Sequence, residues 1–224
     1  MMPDLGPVLL SLHLAAVTTV ILLVIGVPLA YWLATTQARL KPVVEAVTAL
    51  PLVLPPTVIG FYLLILMNPS APLGAAWVSL TGGTLSFSFA GLVFASAIYS
   101  LPFMVQPLQS AFEAVGRGPM EAAAALRASR LDAIWTVLLP QSARGILTAC
   151  VLTFAHTIGE FGVVLMVGGN IPERTRVISI AIYEHVESVE YAEAHILSAG
   201  LLVFSFVTLV GVYALNRSYR LRVS

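Results

Sequence analysis

The residues of this chain best equipped for chemistry are few and far apart. Glu160 stands in TFAHTIGEFGVVLMVGG, an acid in apolar surroundings, with His156 one helical turn before it. A second group lies in EAAAALRASRLDAIWTVLLP (121–140), where Glu121, Arg127, Arg130 and Asp132 fall within twelve positions. Inside the apolar stretches there is no His pair at metal-ligand spacing and no nucleophile with a base, so neither metal nor covalent catalysis is indicated. No G-x-x-x-x-G-K-[ST] phosphate loop occurs, so the chain is expected to bind no cofactor and to hydrolyse no ATP itself. Cys150 is the only cysteine, which excludes an intrachain disulfide.

The elements that carry these residues must suit lipid. Hydrophobic residues make up 58% of the 224 and charged residues 10%, where a soluble domain is roughly a quarter charged. Net charge is zero and there is no basic tract, which argues against nucleic acid as a partner. A helix needs about 20 apolar residues to cross the hydrocarbon core. The charge-free run Leu5–Ala38 holds a first span at 9–35, read as retained because no basic residue precedes it. The run Ala46–Phe112 is 67 residues long and holds spans at 43–67 and 87–112, with NPSAPLG and TGG as turns between them. Spans at 144–168 and 195–215 complete an all-α, single-domain membrane protein with five crossings (9–215).

Five crossings put the termini on opposite sides. Arg39, Lys41, Arg117, Arg127, Arg130, Arg144, Arg217, Arg220 and Arg222 fall on one side, and Arg174 and Arg176 on the other. The positive-inside rule then places the N-terminus outside and the C-terminus in the cytoplasm. The loop 113–143 becomes cytoplasmic. In 173–194 the acids Glu184, Glu187, Glu190 and Glu193 recur every third residue, which suits one face of a helix. That segment is expected to be external or re-entrant, its acids either a solvated face or a dock for a basic surface.

Within 113–143, EAAAALRAS is a strong helix former, with Pro119 suited to its first turn and Glu121 to its positive end. LDAIWTVLLP reads as a second helix stopped near Pro140. The small residues permit close approach by another surface, so the loop is either a solvated helical connection or an element inserted in a partner's cleft.

Glu121-Ala122-Ala123 followed by Leu139-Pro140 resembles the EAA signature of ABC importer permeases. The resemblance implies a type I importer permease core, homodimeric, whose coupling helix sits in a groove of a cytoplasmic ATPase dimer that binds ATP and Mg. The usual signature has Gly where Arg127 stands and Ile where Val137 stands. That Gly normally permits the turn between two short helices, so the turn is expected at Ala128-Ser129 or the first helix is longer. LPLVLPPTVIGFYLL (50–64) and GEFGVVLMVGGNIPERTR (159–176) are similar to the molybdate branch of the family, with sulfate permeases sharing something of the second stretch. Cargo is therefore expected to be molybdate, with tungstate beside it and sulfate as the alternative, delivered by an extracytoplasmic binding protein. A proton-driven secondary transporter using Glu160 is the rival of another class.

Two stretches suit a pathway or gate. Pro55, Pro56, Thr57 and Gly60 interrupt the second span, and prolines must bend or break a helix where they remove amide donors. In lipid such a break survives only where protein or a water-filled cavity covers it; the plainer reading is a packing kink. Glu160 would lie about 24 Å along its helix from Arg144 at about 1.5 Å per residue. A carboxylate repels a dianion, so its expected role is to accept hydrogen bonds from a neighbouring helix and hold the gate, with Gly159 and Gly162 allowing close contact. His156 and His13 read as hydrogen-bonded interior residues.

Overall fold

The structure is a computed structural model that describes residues 4–217, with side chains up to Ala214. The side chain of Arg217, and all of Arg220 and Arg222, lie outside the described residues. Among the described residues every regular element is helical. The chain runs α1 (Gly6–Thr35), α2 (Lys41–Val53), α3 (Pro56–Leu66), α4 (Pro72–Thr81), α5 (Phe89–Val115) and α6 (Gly118–Ala125). It continues with α7 (Arg130–Ala133), a π-helical turn (Ile134–Leu138), α8 (Leu139–Gln141), α9 (Ala143–Gly159), α10 (Gly162–Gly168), α11 (Ile178–Glu187) and α12 (Tyr191–Arg217).

α1, α5 and α12 are each long and apolar enough to cross a membrane, and two bent pairs would raise the number to five. The bends change the reading of the second and fourth apolar segments. Instead of one helix over 43–67, α2 and α3 meet at 112°. Pro55 and Pro56 supply no amide donors, and Leu54, which precedes a proline, is extended with ψ 139. Instead of one helix over 144–168, α9 stops at Gly159, Glu160 is extended with ψ 134, and α10 begins at Gly162. The connection after α3 is more than a turn. It contains α4, which ends at Gly82 in the left-handed region, φ 73, where a missing Cβ removes the steric cost.

α5 is the hub. Its Ser88 caps the start by accepting from the Gly91 amide, and it passes through Pro102 and Pro107 without breaking. On one side Gly26 of α1 seats against Met104; on another Gly145 of α9 seats against Ala111. The core along this seam joins Leu22, Leu33, Met104, Leu108, Phe112 and Leu138. α12 is the outlier: Leu202, Phe206 and Tyr213 are each more than 60% exposed, a face whose apolar character suits lipid rather than water.

The acidic residues of 184–193 do not share one helix face. α11 ends at Glu187, Val189 takes φ 63, and Glu190 and Glu193 belong to the start of α12. Glu184 pairs with Arg176 at 3.2 Å and Glu190 with His185 at 2.8 Å, so the chain's own bases occupy part of the stripe. Ile178 and Ile180 of α11 are buried. α11 is also tied to α1, where Ser11 Oγ accepts from the Ile178 amide at 2.8 Å.

Candidate functional site

The loop between α5 and α9 is built from short helices joined by tight turns. Gly116, at φ 71, ends α5 and lets the chain reverse before α6. Pro119 occupies the first turn of α6 and Glu121 lies at its positive end. Helix α6 closes on a Schellman motif: the Arg127 amide donates to Ala124 O at 2.9 Å and the Ala128 amide to Ala123 O at 3.1 Å. Arg127 itself takes φ 63, the left-handed conformation for which glycine is usual. The turn is therefore at Arg127, one residue earlier than the expected Ala128-Ser129, and α6 is not lengthened. Backbone hydrogen bonds impose the glycine-type geometry although the side chain is that of arginine.

Ser129 then caps α7 by accepting from the Asp132 amide at 3.2 Å. The expected second helix over 131–140 is not uniform. Pro140 offers no donor and its ring crowds the carbonyl a turn before it, and the preceding turn widens so that the Leu139 amide donates five residues back, to Ile134 O. α7 through α8 then meet α9 at 73°. Ala123 is buried and Leu139 packs on the α1–α5 core, while Glu121, Ala122, Arg127 and Pro140 are exposed. Leu126, Leu131 and Trp135 are at least 70% exposed beside them. Apolar residues spaced among charges in a polar loop are a signal of a contact surface that the sequence itself carries. A cleft of about 430 Å³ lies between the loop and the end of α1, lined by Tyr31, Thr35, Met120, Glu121 and Ser129 among others.

The second candidate site forms where the two helix breaks meet. A cleft of about 570 Å³ is lined by Pro56 and Thr57 of α3, Tyr99 of α5, Ala155, His156 and Gly159 of α9, and Glu160, Phe161 and Gly162. α3 and α10 pack so closely that a Cβ on Gly162 would stand 2.7 Å from Pro56 Cβ, and one on Gly60 2.7 Å from Met166 Cβ. Gly60 thus serves the helix contact and does not line the cleft. Pro55 precedes α3 as its cap residue. Gly159 faces open space, so of the two glycines beside Glu160 only Gly162 mediates close contact.

Glu160 is 4% exposed. Its backbone carbonyl accepts from Ser179 Oγ at 2.5 Å, but neither carboxyl oxygen has a hydrogen-bond partner. The buried Ser96 hydroxyl is likewise without a hydrogen-bond partner. The expected role of accepting amide hydrogen bonds is therefore not realised: α10 and α3 direct their first turns at each other's side chains. His156 does have a partner, with Nδ1 3.0 Å from Ser100 Oγ and its ring stacked on Phe103. His13 is exposed and stacks on Phe89 at 4.7 Å, in contrast to the interior position expected for it. Tyr99 and Phe161 complete the cleft, and no sequence spacing singled them out.

The chain is similar over most of its length to known proteins. Residues 9–221 match the family described as "Binding-protein-dependent transport system inner membrane component". The Molybdenum transport system permease protein ModB of Azotobacter vinelandii is 56% identical over 214 residues, covering 96% of this chain and 95% of that protein. The protein of the same name in Escherichia coli K12 is 36% identical over 186 residues, covering 83% and 81%. Among solved structures, an inward-facing MetNI methionine ABC transporter superposes with TM-score 0.71 at 18% identity, covering 95% of this chain and 94% of that one. A bacterial ABC transporter for the acidic polysaccharide alginate gives TM-score 0.73 at 16% identity, covering 96% and 79%. At such identities the structural likeness carries the fold alone. A family match spanning nearly the whole chain, several helices apolar enough for lipid and the helical fold of ABC importer permeases lead to one conclusion: this protein belongs to the inner-membrane permease components of binding-protein-dependent transport systems.

Proposed function

We propose that this chain is the permease subunit of an ATP-driven importer of molybdate, with tungstate, a tetrahedral dianion of nearly equal size, also carried. The observation that supports the cargo is the 56% identity, over almost the full length of both chains, to a permease named for molybdenum transport. Sulfate, the alternative raised by the GEFG stretch, gains no comparable support.

In this reading the chain crosses the membrane five times with its N-terminus outside and its C-terminus in the cytoplasm. Two copies pair, with the path between them. A cytoplasmic ATPase dimer binds ATP and Mg, since this chain has no phosphate loop, and an extracytoplasmic protein delivers the anion. The 116–142 loop is the coupling element. Glu121, Ala122, Ala123 and Arg127 present α6 to the ATPase, and Leu139 and Pro140 set the bend that transmits its movement to α9. The exposed Leu126, Leu131 and Trp135 extend that surface. The gate is the unit of α3 and α10, held together at Gly60 and Gly162 and hinged at Pro55-Pro56 and at Gly159-Glu160.

The test is reconstitution of the chain in vesicles with the ATPase and binding protein from its own genome. Uptake and ATP hydrolysis stimulated by molybdate at far lower concentration than by sulfate is the expected result. Preference for sulfate would overturn the cargo. Uptake that needs a proton gradient and no ATPase would overturn the whole reading.

A further inference from the structure

Glu160 is a buried acid whose carboxyl group has no hydrogen-bond partner. It ends α9 at the hinge, and both carboxyl oxygens are enclosed without a donor. The groups around it are uncharged or weakly basic. Tyr99 from α5 and His156 from α9 are the titratable groups on the same cleft, Thr57 of α3 faces it, and none of the lining residues is Lys or Arg. Ser179 of α11 spends its hydroxyl on the Glu160 carbonyl, and His156 is engaged with Ser100. An ionised carboxylate left without cation or hydrogen bond in an apolar interior is among the most unfavourable placements a side chain can have.

We propose that Glu160 is a positioning residue of the gate that holds a proton whenever α10 is packed on α3 as here, and gives it up to water only when the cleft opens. Closure then takes up one proton from water and opening returns one. The proton is a condition of closure and not the source of energy, because both exchanges occur at one cleft. The neutral acid also leaves the closed path free of a fixed negative charge facing a dianionic cargo. This inference rests on the gate reading given above.

The test uses the assembled transporter in vesicles with equal pH on both sides. ATP-driven molybdate uptake is measured across a pH series for the wild type and for Glu160→Gln, which keeps shape and neutrality. If burial requires a proton, the wild-type-to-variant ratio falls as pH rises, by up to about tenfold per pH unit for a single linked proton. A ratio that stays constant with pH overturns the proposal, as does loss of uptake in a Glu160→Gln complex that still assembles and hydrolyses ATP. Should that variant fail to assemble, infrared spectra of the wild-type complex carrying isotope-labelled glutamate in the permease alone decide the matter. A labelled protonated-carboxyl band at neutral pH is expected, and its absence overturns the proposal. Failure of the import reading is separately visible as a wild-type complex without ATP-driven uptake.

Discussion

At Arg127 the backbone and the side chain make opposite demands, and the two can be separated by substitution. The left-handed conformation costs an L-residue about 1–2 kcal/mol, and more when the side chain is β-branched. The two Schellman hydrogen bonds at 2.9 and 3.1 Å hold the residue there regardless. Arg127→Gly removes the steric term but gives the unfolded turn more freedom, worth about 0.5–1 kcal/mol. The net effect is between neutrality and about 1.5 kcal/mol of stabilisation. Arg127→Val adds β-branching in the same conformation, for which about 1–3 kcal/mol of strain is appropriate. Amide exchange at Ala128 reads this opening directly, since its hydrogen bond to Ala123 O breaks when the turn unwinds. At about 1.4 kcal/mol per factor of ten, Val should speed exchange by roughly fivefold to a hundredfold. Gly should leave it unchanged or slow it by up to about tenfold on the same scale. Equal acceleration by Gly and Val would refute the reasoning, because it would mean that the guanidinium and not the backbone secures the turn.

Gly162→Leu places a side chain where even a Cβ would stand 2.7 Å from Pro56. Overpacking of about 1–3 kcal/mol should lower the thermal midpoint of the purified complex, whereas Gly159→Ala, facing open space, should shift it much less. Thr175→Val keeps the shape but removes a hydroxyl that donates to Gly168 O at 2.7 Å and accepts from the Ile171 amide at 3.1 Å. The buried Gly168 carbonyl left unpaired should cost about 1–3 kcal/mol, and an unchanged midpoint would exclude that role for Thr175. Trp135→Ala, at an exposed site, should leave insertion and folding intact yet weaken ATPase binding tenfold or more in a titration, as expected for an aromatic contact at an interface. Unchanged affinity would remove Trp135 from the coupling surface.

The parts of this protein that were legible in its sequence are those governed by local chemistry. Long charge-free runs read as α1, α5 and α12 because nothing but a helix satisfies its own amides in lipid. Pro119 marked the start of α6, and Pro55-Pro56 marked a break, because proline acts on its immediate neighbours. What the tertiary structure decided is everything that depends on who packs against whom. The 112° angle between α2 and α3, the break at Glu160 without any proline, and the division of the acidic stripe between α11 and α12 follow from contacts between segments distant in the chain. Arg127 shows the difference at one residue. Its type suggested that the turn must move, but the amides of two successive residues found carbonyls on the preceding helix, and those bonds outweigh a steric cost of about 1–2 kcal/mol. Glu160 shows the converse: its type suggested a hydrogen-bonded acid, and only the packing of α3 on α10 leaves it enclosed and alone.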